Sequence, residues 1–487
     1  MNEEETKVEV TEAVAEQKQE AKAPVTENAK MKKGILIGGI AVAAIVICIL
    51  GISLFSSGRY QRIADSAKKY FELEEDVIVN IKGKTIECEE DIYGCSYSAD
   101  GSLTVVKDVD STLWVVKGKK LVQVDEDVDV FWISTYGDTI AYMKELESTE
   151  GELWLYNVSK KKAVELSSDA YPGYVTMSPD GKSVAFVELD KNYNATVMKS
   201  KNGKEAEEVE NEAWPIAISD NASSVFYMTN DGKFYVNDEK IESKGSVSGV
   251  HFNEDMTEVL YNVDGEAKYY NVKKQKTVDV DNERFYRVLI PSDAVYETKD
   301  SRDTSVYYYG IDTFNKSVVR IGDGLFYLCD KGEKLEKITS SYGRYRLSEN
   351  GKSLLFTDDD KLVYVKNVAK PDKAEKYKKL NVDSLYASKD LKTVYFINYD
   401  DELCYLKKGE GVVIAKDVYS AEYSDKYNVI YFLDEDELRY AKKTKKSIKD
   451  VTDDVSYLGS EGDYIIITQD EDACVMTGKK KFKPLED

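Results

Sequence analysis

A pattern of about 40 residues recurs ten times between Ser98 and Ser460, and it constrains the fold more than any single motif does. Each copy runs through a short apolar strand, a Ser-x-Asp-Gly-like turn, a strongly apolar strand, an acidic turn, a Leu/Tyr strand and a lysine-rich turn. The clearest copy is YVTMSPDGKSVAFVELD, Tyr174 to Asp190; weaker ones are RLSENGKSLLFTDDD from Arg346, YASKDLKTVYFINYDD from Tyr386 and EYSDKYNVIYFLDED from Glu422. The turn residues fall at Ser98, Ser134, Ser178, Ser219, Asn253, Ser301, Ser348, Ser388, Ser424 and Ser460.

That step is the length a four-stranded propeller blade needs. The second strand of a unit, such as SVAFV (Ser183 to Val187), VIYFL (Val429 to Leu433) or YIIIT (Tyr464 to Thr468), is apolar throughout rather than alternating. Both of its faces must therefore be covered, as neighbouring blades would cover them. The expected fold is all-β: a β-propeller of about ten four-stranded units, arranged as 8 to 10 blades in one ring or as two smaller propellers. A boundary between two propellers would fall in the least regular stretch, Tyr286 to Tyr342. VIVNIKGKTIECEE, Val77 to Glu90, reads as the last two strands of a blade whose first strands are missing, placed to close the ring against the carboxyl-terminal unit.

The chain divides before the repeats begin. Residues 1–33 carry eight Glu, six Lys and no aromatic residue, which predicts a disordered cytoplasmic tail. Gly34 to Phe55 is uncharged and long enough to cross a hydrocarbon core of roughly 30 Å, so residues 34–56 are expected to form a transmembrane helix; a cleavable signal peptide is the rival reading. Lysines and arginines on both sides leave the orientation barely decided by charge. A short tail before a first span stays inside while the large domain is exported, which places the propeller outside the plasma membrane. Residues 57–76 put Tyr60, Ile63, Ala64, Ala67 and Phe71 on one helical stripe, the expectation being a short stalk helix. The propeller is then 77–487.

Ring geometry sends the turns between second and third strands to one face and those between third and fourth strands to the other. The first set is acidic, with Asp358, Asp359, Asp360, Asp400, Asp401, Asp434, Asp436, Asp470 and Asp472 as the candidate interaction face. The second is basic, with Lys160, Lys161, Lys162, Lys442, Lys443, Lys445 and Lys446 as its candidate residues. Asp, Asn, Gly and Lys are also what solvated hairpin turns ordinarily contain. As functional surfaces, the acidic face would attract a cationic partner or Ca²⁺, and the basic face would turn toward anionic lipid. The acidic runs lack the glycine-spaced loop of an EF-hand, and no cofactor is expected.

The segments SPDGKSVAF, SENGKSLLF and SADGSLTVV resemble the TolB-like, WD40-like (PD40-type) β-propeller repeat of bacterial cell-envelope proteins. The resemblance covers most of Ser98 to Asp472 and implies an extracytoplasmic propeller with a role in binding and no catalytic residues to transfer. Similar repeats occur in the propellers of prolyl-oligopeptidase-like peptidases, where a separate hydrolase domain does the chemistry; the chain ends within its last unit and has no G-x-S-x-G elbow, so that activity is not implied.

Chemistry-bearing residues are sparse. The one histidine, His251, falls on an innermost strand and reads as packed or pore-lining. Five cysteines lie outside the apolar span, among them Cys88 and Cys95 flanking one turn, with their pairing open. A net charge of −23 argues against nucleic acid as a partner. The expected function is a non-enzymatic, membrane-tethered scaffold for an envelope protein. A ligand sensor or carbohydrate-binding module, with aromatic residues facing the axial funnel, is the alternative, and an enzyme with a propeller active site the second alternative.

Overall fold

A computed structural model describes residues 68–98, 101–147, 150–242, 244–253, 255–289, 316–329, 332, 334–359 and 361–485. The expected tail, the expected span 34–56 and the first part of the expected stalk, 57–67, lie outside the described residues. Among the described residues no helix is long and apolar enough to cross a membrane.

The described residues hold 42 strands, numbered β1 to β42 in chain order, and every pairing between them is antiparallel with a sequence neighbour. Eight of the sheets have four strands each, one has three, and one has seven. The seven-stranded sheet is two repeat units joined through β11 (Lys162–Met177). This strand pairs with β10 (Glu150–Asn157) through its first half and with β12 (Ser183–Leu189) through its second. Counting it as two gives ten four-stranded units, the number the repeat predicts, preceded by the three-stranded sheet.

Eleven apolar clusters lie between consecutive units. The second strands supply most of them: in β12, Val184, Ala185, Phe186 and Val187 are all fully buried. Side chains of this kind contribute roughly 1.5–3 kcal/mol each when removed from water. Ala185 faces the following unit and Phe186 the preceding one, so each sheet is glued on both sides. This radial stacking of sheets is the β-propeller arrangement. Clusters at Leu260 to Ile321 and at Val318 to Val368 run through the stretch where two propellers would have divided.

The three-stranded sheet joins the end of the chain to its beginning. Its strands are β1 (Tyr70–Glu74), β2 (Val77–Asn80) and β3 (Lys84–Glu87). Val79 and Ile81 pack on Val475 and Leu485 of the last unit, while Tyr70, Ile78 and Ile86 pack on Ile92 and Val106 of the first complete one. The cycle of interfaces therefore returns to its start. The backbone N–H of Ile92 bonds to Glu75 O in the β1–β2 turn, as Val418 N bonds to Asp401 O and Val455 N to Asp436 O in later units. By that equivalence β1, β2 and β3 are the second, third and fourth strands of a unit, and β2 and β3 hold the places expected of 77–90. The stalk helix is corrected over Tyr70–Glu74, which is strand: pairing with β2 satisfies its backbone and outweighs a helical spacing of apolar residues.

The recurrent serines act as clamps. Ser178 Oγ accepts a hydrogen bond from Ser183 N (3.0 Å) and donates one to Asp180 Oδ1 (3.0 Å), which in turn accepts from Lys182 N (3.1 Å). Ser348 and Ser388 repeat this with Asn350 and Asp390. The third residue after the serine needs positive φ, supplied by Gly101, Gly181 and Gly351 (φ 67°, 70° and 66°). Two turn assignments are corrected. Ser460 lies within β39 (Val455–Glu461), its hydroxyl on Glu422, because a tight turn at Gly462 replaces the clamp. Ser301 lies outside the described residues, and its place is taken by Leu289, whose N–H bonds to Val318 O across a long insertion.

Candidate functional site

The acidic and basic turns are where the repeat places them. Asp358 ends β28 (Leu354–Asp358) and Asp359 follows it; Asp400 and Asp401 link β32 (Val394–Asn398) to β33 (Leu403–Lys407). Asp434 and Asp436 lie at the turn from β36 (Val429–Asp434) to β37 (Glu437–Ala441), and Asp470 and Asp472 at the turn from β40 (Tyr464–Gln469) to β41 (Asp472–Gly478). Asp360 lies outside the described residues. Lys160 and Lys161 form the turn before Lys162 opens β11, and Lys442, Lys443, Lys445 and Lys446 precede β38 (Lys449–Thr452).

Local backbone geometry accounts for several of these residues. Asp359, Asp401 and Asp470 have φ of 45°, 54° and 51°, a left-handed conformation that Asp tolerates better than most residues. Asp434 is taken up by Arg439, whose guanidinium also holds Glu437 and Asp450. Negative charge does accumulate nearby: Asp453, Asp470 and Asp436, with a little burial, push the Asp454 carboxyl above its ordinary range. No group of three or more metal-ligating side chains comes together among the described residues.

A different feature emerges at the inner strands. In several units the ladder between first and second strands shifts register just after the first residue of the inner strand, at Ile92/Gly94, Phe285/Arg287, Val382/Ser384 and Val418/Ser420. A bulge there leaves the second residue out of the ladder and re-aims it. Tyr93, Tyr286 and Tyr419 occupy that position and are 74%, 48% and 60% exposed, so bulges set tyrosines at the mouth of the ring.

One of these tyrosines, Tyr286, meets arginine, beside a cavity formed by three successive units. A cavity of about 720 Å³ is lined by Arg287, Arg320, Arg344, Arg346, Tyr345 and Tyr386, with Tyr342, Asp323 and Ser384 at its walls. Arg287 comes from β23 (Phe285–Val288), Arg320 from β24 (Val318–Ile321), and Tyr345 and Arg346 from β27 (Tyr345–Leu347). Arg344 belongs to the connection entering β27, and Tyr386 to β31 (Val382–Ala387). The Arg320 guanidinium lies 4.5 Å from the Tyr286 ring centre and 5.9 Å from that of Tyr342. Arg287 lies 5.6 Å from the Tyr345 ring. Stacking of this kind holds a guanidinium by its face and leaves its N–H edge available.

Carboxylates engage two of the four arginines. Arg344 donates to Asp383 O at 2.6 Å and lies 3.8 Å from its carboxylate, and Arg320 lies 3.8 Å from Asp323, which is almost wholly exposed. For Arg287 and Arg346 the described residues show no ion pair. Burial raises the phenol of Tyr345 despite Arg287; burial, then Glu422, raises that of Tyr386 despite Arg346, so both rings stay neutral hydrogen-bond donors. Arg346 and Tyr386 also line a second cavity of about 210 Å³ reaching Lys389 and Ser424, which makes Arg346 the passage between the two.

The turns between second and third strands were expected to make this face acidic. The structure sets an arginine cluster there, with Asp323 as part of its wall. A signal was present: of nine arginines in the chain, Arg284, Arg287, Arg302, Arg320, Arg344 and Arg346 fall within 284–346, while lysine supplies nearly all other positive charge. Summing lysine with arginine hid it.

His251 lies on β19 (Val247–Phe252), as expected, with its ring edge-on to Phe285 at 5.0 Å; burial pushes its pKa down to about 4. No disulfide joins Cys88 and Cys95, which pack against the cluster between the three-stranded sheet and its neighbour. Burial, with Asp76 and Asp108 adding to it, pushes the Cys88 thiol up to about 11.

No protein-family model matches the chain, and no curated protein matches it in sequence. Among solved structures it is similar to a prolyl endopeptidase at 12% identity and TM-score 0.32, covering 63% of this chain and 54% of that one. It is similar to the tricorn protease at 9% identity and TM-score 0.25, covering 85% and 61%, and to the carboxyl-terminal WD40 domain of Sif2 at 13% and 0.29, covering 65% and 95%. The chain thus spans about half the length of that prolyl endopeptidase and about six-tenths of the tricorn protease.

Proposed function

We propose that this protein is a non-enzymatic binding propeller of the cell envelope, a single ring of ten four-stranded units and one three-stranded sheet, tethered outside the plasma membrane by residues 34–56. The observation that carries the binding role is the cleft of four arginines set among tyrosines. Its volume falls in the range of ligand sites, roughly 300–1,000 Å³. Tyrosines at the axial mouth favour the ligand-binding reading over the protein scaffold that composition suggested.

The first described residues fix where the chain joins the propeller. Lys69 is buried beside Glu461 at the end of β39 and lies over the ring of Tyr97 at the end of β4 (Ile92–Tyr97), while Tyr70 Oη donates to Gly118 O in a lysine-rich turn at 3.0 Å. The chain therefore enters the body on the face of the lysine-rich turns.

Capture from solubilised envelope tests the role. Immobilised full-length protein is exposed to extract, and retained material is assayed for protein, sugar and phosphorus, beside an Arg287→Glu/Arg346→Glu variant. Material held by the wild type and lost from the variant supports the reading. Equal retention by both removes the cleft from the function, and no retention removes the binding role. A retained protein without sugar or phosphorus would restore the scaffold.

A further inference from the structure

We infer that the arginine cleft is a site for a phosphate-bearing ligand, an inference that rests on the binding role proposed above and names its chemistry. Four guanidinium groups, Arg287, Arg320, Arg344 and Arg346, meet at one cavity, against the carboxylates of Asp323 and Asp383. The surplus is two positive charges. A phosphomonoester carries roughly −1.5 to −2 at neutral pH and matches that surplus, whereas a single carboxylate would leave half of it unanswered.

Residue choice points the same way. Elsewhere the propeller meets nearly all of its need for positive charge with lysine, yet here four arginines line one cavity. Guanidinium presents a planar fork of donors that pairs with two oxygens at once, which an ammonium cannot do. The forks are pre-aimed. Arg320 is stacked on Tyr286 at 4.5 Å and Arg287 on Tyr345 at 5.6 Å, so less side-chain freedom remains to be lost on binding. Arg287 and Arg346, without ion pairs among the described residues, are the two whose edges a ligand would engage first. The tyrosine rings flank those edges and suit the apolar face of a sugar or polyol joined to the phosphate. Arg346 also borders the second cavity, so a ligand longer than the first can continue past it.

Calorimetric titration of the full-length protein in detergent, at about 0.1 M salt, tests this. The probes are glycerol 3-phosphate, a synthetic glycerol-phosphate tetramer and hexaglutamate. Both phosphate probes are expected to bind, and tighter binding of the tetramer would identify a polymer rather than a free ester as the source. Hexaglutamate is expected neither to bind comparably nor to displace them. Arg287→Gln/Arg346→Gln should weaken phosphate binding at least about tenfold for each arginine removed, while Lys84→Gln/Lys240→Gln, neither of which lines the cleft, leaves it unchanged. Melting curves accompany each variant. If the glutamine pair unfolds, Arg287→Lys/Arg346→Lys keeps the charge and should still lose several-fold, because the fork is gone.

Absence of phosphate binding, equal binding of hexaglutamate, or undiminished binding by a folded arginine variant would each overturn the assignment. Capture of phosphate-free envelope material through the same arginines would overturn the phosphate and leave the binding role standing. Loss of all cleft-dependent capture removes both.

Discussion

Acidification should destabilise the ring through its one histidine. His251 sits edge-on to Phe285, and burial alone accounts for its depressed pKa, with no charged neighbour contributing. In the unfolded chain the imidazole titrates near 6.5, in the folded one near 4. Because the folded value is the lower, the unfolded state binds the proton first, so stability is complete above pH 6.5 and is lost as pH falls toward 4. At about 1.36 kcal/mol per pH unit the full loss is about 3.4 kcal/mol, and about 2 kcal/mol of it falls between pH 7 and pH 5. Ninety carboxylates titrate too, mostly lower, so His251→Gln, which cannot protonate, is the reference. Urea unfolding at pH 7 and pH 5 should show the wild type losing about 2 kcal/mol more than the variant. A single imidazole also gives one resolvable pair of ring C–H resonances, which should keep their neutral positions down to pH 5. A titration midpoint near 6.5, or equal losses in both proteins, would refute the argument from burial.

Three further outcomes follow from the repeat and its closure. Ser178→Ala removes a buried hydroxyl that both accepts from Ser183 N and donates to Asp180, and should cost about 1–3 kcal/mol in thermal or urea unfolding; Ala222, at φ 55° where other units have glycine, should by contrast gain about 0.5–1 kcal/mol on replacement by Gly. A chain begun at residue 77 loses Lys69, Tyr70 and all of β1, uncovering Ile78, which is fully buried in the intact body; relative to one begun at residue 60 it should bind a hydrophobic dye and melt earlier, and identical melting would show that β1 does not contribute to closure.

What the sequence made legible was whatever belongs to one segment at a time. Apolar second strands, clamp serines and turn charges are local, and apart from Ser460 and Ser301 the described ones stand where the pattern puts them. Features that belong to two segments were hidden. The register shifts that expose Tyr93, Tyr286 and Tyr419 are properties of a strand pair, invisible in either strand alone. Phe71 closed a helical stripe that began at Tyr60, and only pairing with Val77–Asn80 made Tyr70–Glu74 a strand. β11 runs through two units because the fourth strand of one leads directly into the first of the next, with Pro172 and Gly173 falling in the register shift against β12. Arg320 and Arg346 belong to different units and meet only because β24 of one lies beside the inner strand β27 of the next.

The same division explains how a chain of net charge −23 holds an anion site. At long range an anionic ligand meets the acidic turns and is repelled; within the cleft it meets guanidinium groups at contact distance. These effects respond differently to salt. At 0.1 M ionic strength interactions between exposed charges fade beyond roughly 10 Å, which removes most of the repulsion from surrounding turns, while short contacts in the partly enclosed cleft are screened less. The repeat frame can therefore stay acidic in every unit without cancelling a site built from four residues. Two of the four arginines use positions the frame leaves open: Arg287 follows the bulged Tyr286 of an inner strand, and Arg344 lies in the connection that enters β27. Arg320 instead interrupts the apolar second strand β24, in the unit where Leu289 stands in for a clamp serine, so the cleft is built where the repeat departs furthest from its pattern.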